Sequence, residues 1–519
     1  MDHGFGQWAT IHALRNGDRI AYVDGVGGAE TTYAVLEERT NRLADALRTK
    51  GVAPGARVGL LCLNSPQMME IYLAVAKLGA ISVPVNFRLH PDEMAYVLDD
   101  SGASLLFAST AFMEAANQAV AGAPGVRETL RVPVAAERSA GEGGDLEPLV
   151  DSGSPERVTV DVGHDDVAVI MYTSGTTGRP KGAMLTHGNV FYNAINAMGF
   201  DSGIGRADVT ISAAPLFHIG ALGVHTLPFL FVGASVVVIE AFTPDQWVEA
   251  AERHRVTKAF LVPAMWAAVA ATPALETADL SSLRVAISGG APCPMPVITA
   301  MARRGIAFTE GFGMTETAPN AACLQPEQVI DHAGSVGRPV SFMDFLILDE
   351  EDREVPVGEV GELCVRGPSV FAGYWGKPEA TAEAIRDGWF HTGDLARVDA
   401  EGFYTLVDRK KDMIITGGEN VYPVEVERVL YEHPEITEVA VIGAPDEQWG
   451  EAVVAVVVPA PDSSLTEDRL RAWTRERIAH FKAPRRVTFV DELPRNATGK
   501  ILKRELRRAR GDGDSVVAR

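Results

Sequence analysis

Cysteine is scarce in this chain: Cys62, Cys293, Cys323 and Cys364 are the four in 519 residues, and none forms a C-x-x-C pair. Such scattering argues against a zinc site or a disulfide framework and fits a reducing cytoplasm. Positive charge is also in deficit, with 47 Lys and Arg against 69 Asp and Glu and a formal net charge of −22. That balance argues against nucleic acid or an anionic membrane as the main partner, although a local basic site can still bind a nucleotide. The opening MDHGFGQWATIHALRNGDR lacks a basic start followed by an apolar core, so no signal peptide is expected. An uninterrupted membrane-length run is missing too. The nearest approach, LGVHTLPFLFVGASVVVI, is broken by His225, Pro228 and Gly233 and reads as a buried helix followed by a buried strand. Several catalytic signatures are absent: no G-x-S-x-G elbow, no H-E-x-x-H and no G-x-G-x-x-G.

What is present is ordinary globular composition, 46% hydrophobic and 22% charged. The length suits roughly two to four domains. Helical and strand patterns alternate. TYAVLEERTNRLADALRTKG sets Leu36, Leu43 and Leu47 on one helical face and stops at Gly51. RVGLLCL, ISVPV, VTKAFLV, LRVAISGG and IAFTEGFG read as short buried strands separated by helices, the pattern of parallel α/β layers. The fold class expected is α/β, with a large N-terminal domain of layered sheets and helices. Residues 134–158, rich in Gly, Ser and Glu, are expected to form an exposed loop. Near residue 408 the texture changes to a helix, two long strands and an amphipathic helix, a smaller α+β unit large enough to fold alone.

YTSGTTGRPKG, residues 172–182, has the composition of a phosphate loop. Gly175, Gly178 and Gly182 free the backbone to approach a ligand, Thr173, Ser174, Thr176 and Thr177 supply hydroxyls, and Lys181 supplies charge. Its spacing is not that of a P-loop, because Pro180 stands where the second glycine belongs. Further glycine-punctuated strand ends follow: SGGAP (288–292), EGFGMTET (310–317) and HTGDL (391–395). Ligands of α/β sheets bind beyond the carboxyl ends of strands, so these loops can share a cleft. Taken singly, each reads first as structure: SGGAP as a turn, Glu316 as a capping acid and Asp394 as a surface carboxylate.

In order along the chain, YTSGTTGRPKG, APLFH, SGGAP, EGFGMTETAP, GWFHTGDL, DRKKDMIITGGENVYP and PRNATGK closely resemble the acyl-adenylate-forming superfamily. That group contains acyl- and aryl-CoA ligases, firefly luciferase and the adenylation domains of peptide synthetases. The resemblance spans about residues 30 to 505 and points to the CoA ligase branch. It implies an AMP-binding and acyl-binding domain over 1–408, a hinge at 409–411 around Lys411, and a mobile lid domain over 412–519. It also implies ATP, Mg²⁺ and coenzyme A. A carboxylate displaces pyrophosphate from ATP to give acyl-AMP, and a thiol then displaces AMP.

Residue roles follow from the same resemblance. Thr173, Ser174, Gly175, Thr176, Thr177, Gly178 and Lys181 would close over the β- and γ-phosphates. Thr315 would touch the α-phosphate region and Glu316 would bind Mg²⁺. Gly289, Gly290, Ala291 and Pro292, with Glu310, Gly311, Phe312 and Gly313, would line the adenine pocket. Asp394 and Arg409 would serve the ribose hydroxyls, and Lys500 would stabilise charge in the adenylation transition state. The swing would bring Gly417 and Gly418 to the pantetheine arm, while Trp449, Phe481 and Arg485 match positions that bind the CoA nucleotide. Ala483 stands where some CoA ligases carry a basic residue.

Amino-acid-adenylating relatives carry an aspartate near His218, whereas PLFHIGALGVH has no acid, so a neutral organic acid is expected. His218 would contact the substrate or line the ATP cleft. A fatty acid is the first expectation, because Gly220 and Gly223 leave room for length; a benzoate- or cinnamate-type acid comes next, and a stand-alone enzyme loading a carrier protein third. Free CoA is favoured as acceptor because no carrier domain follows residue 505. A homodimer is compatible with the family, and PRNATGK fits the pattern that lysine acetyltransferases recognise at the position of Lys500. The rival from another class is a catalytically silent nucleotide sensor, which would release no pyrophosphate with any acid.

Overall fold

The short buried strands and amphipathic helices form layered sheets in a computed structural model that describes residues 3–173, 179–199, 203–417, 419–446, 448–461, 463–495 and 501–511. The chain divides into two units, one of Met1–Phe345 with Val365–Phe390, the other of Leu346–Cys364 with His391–Arg519. The second unit thus takes in residues on both sides of 408.

Three sheets build most of the first unit. The six-stranded one runs in the order Thr129–Val132, Ala103–Ser109, Arg57–Leu61, Ile81–Pro84, β1 (Val167–Thr173) and β2 (Lys181–Thr186). Its pairings are parallel until β2, which returns antiparallel to β1. Val58, Leu60, Val83, Leu106 and Phe107 are fully buried, as expected of strands covered on both faces. A five-stranded sheet runs Lys258–Leu261, β3 (Val285–Gly289), β4 (Ala307–Gly313), β5 (Asn320–Leu324) and Arg338–Pro339. Its first three strands are parallel, so β3 and β4 end together. A four-stranded sheet combines Glu30–Thr32, Ile20–Asp24, Ser235–Val238 and Val209–Ser212.

The apolar run from Leu222 is a buried helix and strand, as its sequence predicts. A π-type turn at Leu222–Thr226 leads into a helix at Leu227–Val232, Gly233 ends it at φ 80°, and Ser235–Val238 is the strand. Among the described residues no helix is long and apolar enough to cross a membrane. The expected loop at 134–158 is corrected: it contains helices at Ala135–Ser139 and Leu146–Ser152. Leu146, Leu149 and Val150 recur at helical spacing and are buried, and that apolar face outweighs the flanking glycines.

In the second unit, the long strands Ile436–Asp446 and Gly450–Pro459 pair antiparallel, with Ile414–Thr416 and Arg486–Phe489 alongside the latter. The helices Pro423–Tyr431 and Glu467–Arg475 contribute Val426, Leu430 and Leu470 to a core with Val439, Val441, Val453 and Val457. The tail helix spans Lys503–Gly511.

Candidate active site

The phosphate-loop sequence occupies a hairpin whose two legs are β1 and β2, with Thr173 opposite Lys181 and Tyr172 opposite Gly182. Ser174, Gly175, Thr176, Thr177 and Gly178 lie outside the described residues. The β1 leg is tied to one carboxylate through Tyr172. Asp100, in the last turn of the helix Pro91–Ser101, accepts from the Tyr172 hydroxyl at 2.7 Å, the Tyr96 hydroxyl at 3.2 Å and Lys377 Nζ at 3.2 Å. Tyr96 can also donate to the Pro180 carbonyl at 3.2 Å, and Arg179 lies over its ring at 5.1 Å. Gly102, at φ 65°, ends the helix and turns the chain directly into the neighbouring strand. Asp100→Ala leaves the Tyr172 hydroxyl without its acceptor. It is expected to cost about 1–3 kcal/mol of stability and to raise the KM for ATP, measured by urea unfolding and steady-state kinetics.

On the far edge of β2 lies a segment that no motif singled out. Met184 N donates to Gly373 O at 2.9 Å, Ala372 N to Met184 O at 2.9 Å and Trp375 N to Gly182 O at 2.8 Å. This pairing sets Tyr374 beside β2, where Lys181 Nζ lies 5.0 Å from its ring centroid. The Tyr374 hydroxyl donates to Glu316 Oε1 at 3.1 Å, and Phe371 N donates to the Glu316 carbonyl at 2.9 Å. Burial first, then the Glu316 charge, raises the Tyr374 phenol above its ordinary range, so it stays a donor. Glu316 is buried on the tight turn Thr315–Thr317, which begins with the half-buried Thr315. The turn is capped by Thr317 Oγ1, which accepts from Met314 N at 3.0 Å. Gly313 is required just before it: a Cβ there would stand 1.8 Å from the Pro319 carbonyl oxygen.

The parallel register of β3 and β4 brings the adenine-pocket candidates together, with Gly289 opposite Gly311 and Ser288 opposite Glu310. Gly290, at φ 87°, turns the chain beyond β3, and Ala291 and Pro292 are exposed. Glu310 Oε1 accepts from Cys293 N at 2.8 Å, which pins this loop to β4. Burial pushes the Glu310 carboxyl up; burial and then the Glu310 charge push the Cys293 thiol up to about 12, so that thiol is not a nucleophile at neutral pH. Phe312 is half-buried and meets Phe345 edge-on at 6.4 Å. His218 packs against Phe217 at 4.6 Å, and its Nε2 is buried with no hydrogen-bond partner among the described residues. Burial, reinforced by the charge of Arg88, lowers its pKa to about 4, so the ring is neutral at physiological pH.

The ribose candidates, both in the second unit, lie beyond β6 (Gly361–Arg366) in one sheet: Asp394 on β7 (Trp389–Val398) stands directly opposite Arg409 on β8 (Tyr404–Arg409). Arg409 Nε lies 2.5 Å from Asp394 Oδ1. The buried Glu362 braces this pair. It accepts from Gly393 N at 3.2 Å and pairs with Lys410 Nζ at 3.0 Å, with His391 Nδ1 at 3.4 Å. Burial raises the Glu362 carboxyl, but Lys410 and His391 outweigh it and the net shift is downward. Burial lowers the pKa of Lys411; Asp412 opposes this and Arg409 adds to it.

The CoA candidates are partly brought together. Gly417, at φ 62°, donates its N–H to the Trp449 carbonyl at 2.8 Å, and a Cβ on Gly417 would lie 2.7 Å from the Trp449 ring. Arg485 covers that ring at 4.5 Å. Phe481 is exposed and meets Lys482 instead, at 5.8 Å. Gly418 and Lys500 lie outside the described residues.

Two known family patterns match the chain. The pattern of the family described as AMP-binding enzyme covers residues 10–375, and that of the AMP-binding enzyme C-terminal domain covers residues 425–500. The chain belongs to the AMP-binding enzyme family. Among its relatives, a feruloyl-CoA synthase of Amycolatopsis sp is 46% identical to this AMP-binding enzyme across 98% of the chain and 100% of that protein. A long-chain-fatty-acid–CoA ligase of Mycobacterium tuberculosis is 37% identical across 94% of each chain. ATP-bound MatB from Rhodopseudomonas palustris has the same fold, with a TM-score of 0.90, 32% identity and 99% coverage of both chains. The superfamily expected from the motifs, and with it the AMP-forming acid–thiol ligase class using ATP, CoA and Mg²⁺, is borne out.

The donor set suits that metal. Among the described residues, no group of three or more His, Cys, Asp or Glu side chains is placed to hold an ion. Mg²⁺ usually binds through one or two carboxylates together with substrate phosphates and water, so one buried carboxylate such as Glu316 near a phosphate loop fits. When bound, the ion acts as a Lewis acid on phosphate oxygens.

Proposed function

We propose that this AMP-binding enzyme activates an aromatic acid of the ferulate or cinnamate type and transfers it to free CoA in the cytoplasm. The observation that carries the substrate class is the near full-length similarity to a feruloyl-CoA synthase at 46% identity. The neutral His218 beside Phe217 speaks against an amino acid, since neither offers a charge to a substrate ammonium. Four free, buried cysteines are in keeping with a reducing compartment. The second reading is a fatty acid, favoured by the 37% identity to a long-chain-fatty-acid–CoA ligase.

In this reading Lys181 and the hydroxyls of its loop hold pyrophosphate as it leaves, and Glu316 is the metal-binding carboxylate. Thr315 bonds at the α-phosphate, the β3 and β4 ends hold adenine, and Asp394 accepts from the ribose hydroxyls. Rotation at Lys411 then exchanges Lys500 for the Gly417–Gly418 loop, and Trp449 with Arg485 receives the CoA nucleotide. Both half-reactions concentrate negative charge, so fixed cations and N–H donors contribute more than an acid–base pair.

AMP release with ATP and Mg²⁺ is to be measured across ferulate, cinnamate, benzoate, medium- and long-chain fatty acids and amino acids, with and without CoA. The expected result is CoA-dependent turnover with kcat/KM for ferulate or cinnamate at least about tenfold above any fatty acid. The reverse ratio would establish the fatty acyl reading. Pyrophosphate release without CoA turnover would point to a carrier protein as acceptor.

A further inference from the structure

The phosphate lysine and the metal-binding carboxylate meet on one side chain. Lys181 Nζ lies 5.0 Å from the Tyr374 ring centroid, and the Tyr374 hydroxyl bonds Glu316 Oε1 at 3.1 Å. We propose that Tyr374 is the positioning residue that presents Glu316 to Mg²⁺ and Lys181 to the phosphates that share that ion. The proposal rests on the reading of Glu316 given above.

Three features support it. First, Tyr374 is itself held rigidly. Its backbone bridges Ala183, its N–H donates to Thr381 Oγ1 at 2.9 Å, and Phe371 packs edge-on at 4.8 Å. Gly373 before it sits at φ 127°, where a Cβ would be 2.5 Å from Thr381 Cγ2, so only glycine allows this approach. Second, the hydroxyl bond occupies one of the roughly four lone-pair directions of a carboxylate and orients its plane without neutralising it. Third, the ring supports Lys181 by cation–π attraction, again without neutralising it. Among the described residues Lys181 has no carboxylate within salt-bridge distance. One tyrosine therefore touches two opposite charges, bonding the carboxylate through its hydroxyl and facing the ammonium with its ring, and cancels neither.

The test uses the full chain and measures ATP binding calorimetrically as Mg²⁺ is titrated, with steady-state kinetics alongside. Tyr374→Phe keeps the ring and removes the hydroxyl. It is expected to need roughly 10–100 times more Mg²⁺ for half-maximal ATP binding, as is usual when a partner of a metal ligand is lost. Binding of ATP without Mg²⁺ should be unchanged in this variant and weakened in Tyr374→Leu, where Lys181 loses its support. Thermal unfolding of both variants checks that they remain folded, and CoA attack on preformed acyl-AMP, which involves no triphosphate, should keep its rate.

Glu316→Gln separates the two readings. If it raises the Mg²⁺ requirement and Tyr374→Phe does not, the proposal for Tyr374 is wrong and the reading of Glu316 stands. If Glu316→Gln leaves the Mg²⁺ requirement unchanged, both fall. A loss of equal size in the CoA half-reaction of Tyr374→Phe would mark a merely structural role and overturn the proposal.

Discussion

Lys500→Ala is expected to slow acyl-AMP formation roughly 10²–10³-fold, the usual cost of losing a preorganised charge partner. CoA attack on synthetic acyl-AMP should continue near the wild-type rate. The asymmetry comes from where charge develops. In adenylation a carboxylate approaches an α-phosphate that is already anionic, and a cation between them lowers the barrier most at the point of closest approach. In thiol attack the leaving AMP takes its charge with it, and in the proposed cycle Lys500 has by then been withdrawn by rotation at Lys411. Pyrophosphate release and thioester formation from preformed acyl-AMP measure the two halves separately. Acetylation of Lys500 should match the alanine variant, because it removes the same charge. Lys500→Arg should recover only part of the rate, since a planar fork does not occupy the place of a compact ammonium. Equal losses in both halves would refute the division of labour and the swing that explains it.

What was legible in the sequence was mostly what the backbone demands locally. Gly290 and Gly417 sit at positive φ, and Gly313 lies where any Cβ would collide with Pro319. Their motifs can therefore be read without knowing the fold. The parallel strands of the first unit were legible for a related reason, because burial on both faces leaves apolar runs without alternation. Contacts over long sequence separation were not. Tyr374 reaches Glu316 across 58 positions, Tyr172 reaches Asp100 across 72, and Lys410 reaches Glu362 across 48. No periodicity encodes such pairs; they exist because the tertiary fold brings a helix end, a tight turn and a strand end each to its partner. FAGYWGKP did carry one signal, a glycine immediately before an aromatic pair, but only the pairing of Ala372–Trp375 with β2 gives it meaning. The helix at Leu146–Ser152 was missed for the opposite reason. Gly141, Gly143 and Gly144 dominated a window whose buried Leu146, Leu149 and Val150 decide the structure.

Acidification from pH 7 to pH 5 is expected to remove on the order of 5 kcal/mol of stability from the first unit, through three buried histidines. Burial lowers the pKa of His187 and His218 to about 4 and that of His225 to about 3. Asp166 partly opposes the shift at His187, whereas Arg88 and Lys258 add to it at His218 and His225. A depressed histidine favours the neutral folded form, so its contribution is complete above the unfolded value near 6.5. Below that value the unfolded chain takes up protons first, and stability falls until the folded ring also titrates. At pH 5 each ring accounts for about 2 kcal/mol. His187 shows why the neutral form is needed: Phe5 N donates to its Nδ1 at 3.3 Å, and a proton on that nitrogen would break the bond. Buried carboxylates oppose the trend. Burial raises Glu70 and Glu310 despite partners that lower them, and these groups gain stability as pH falls. Urea unfolding at pH 7, 6 and 5 measures the net slope. His225→Gln, which retains a polar partner for Thr210, should remove about a third of the histidine contribution to that slope. A slope equal in the two proteins would mean that the His225 ring titrates in the folded state at its ordinary value and contributes nothing to the acid sensitivity.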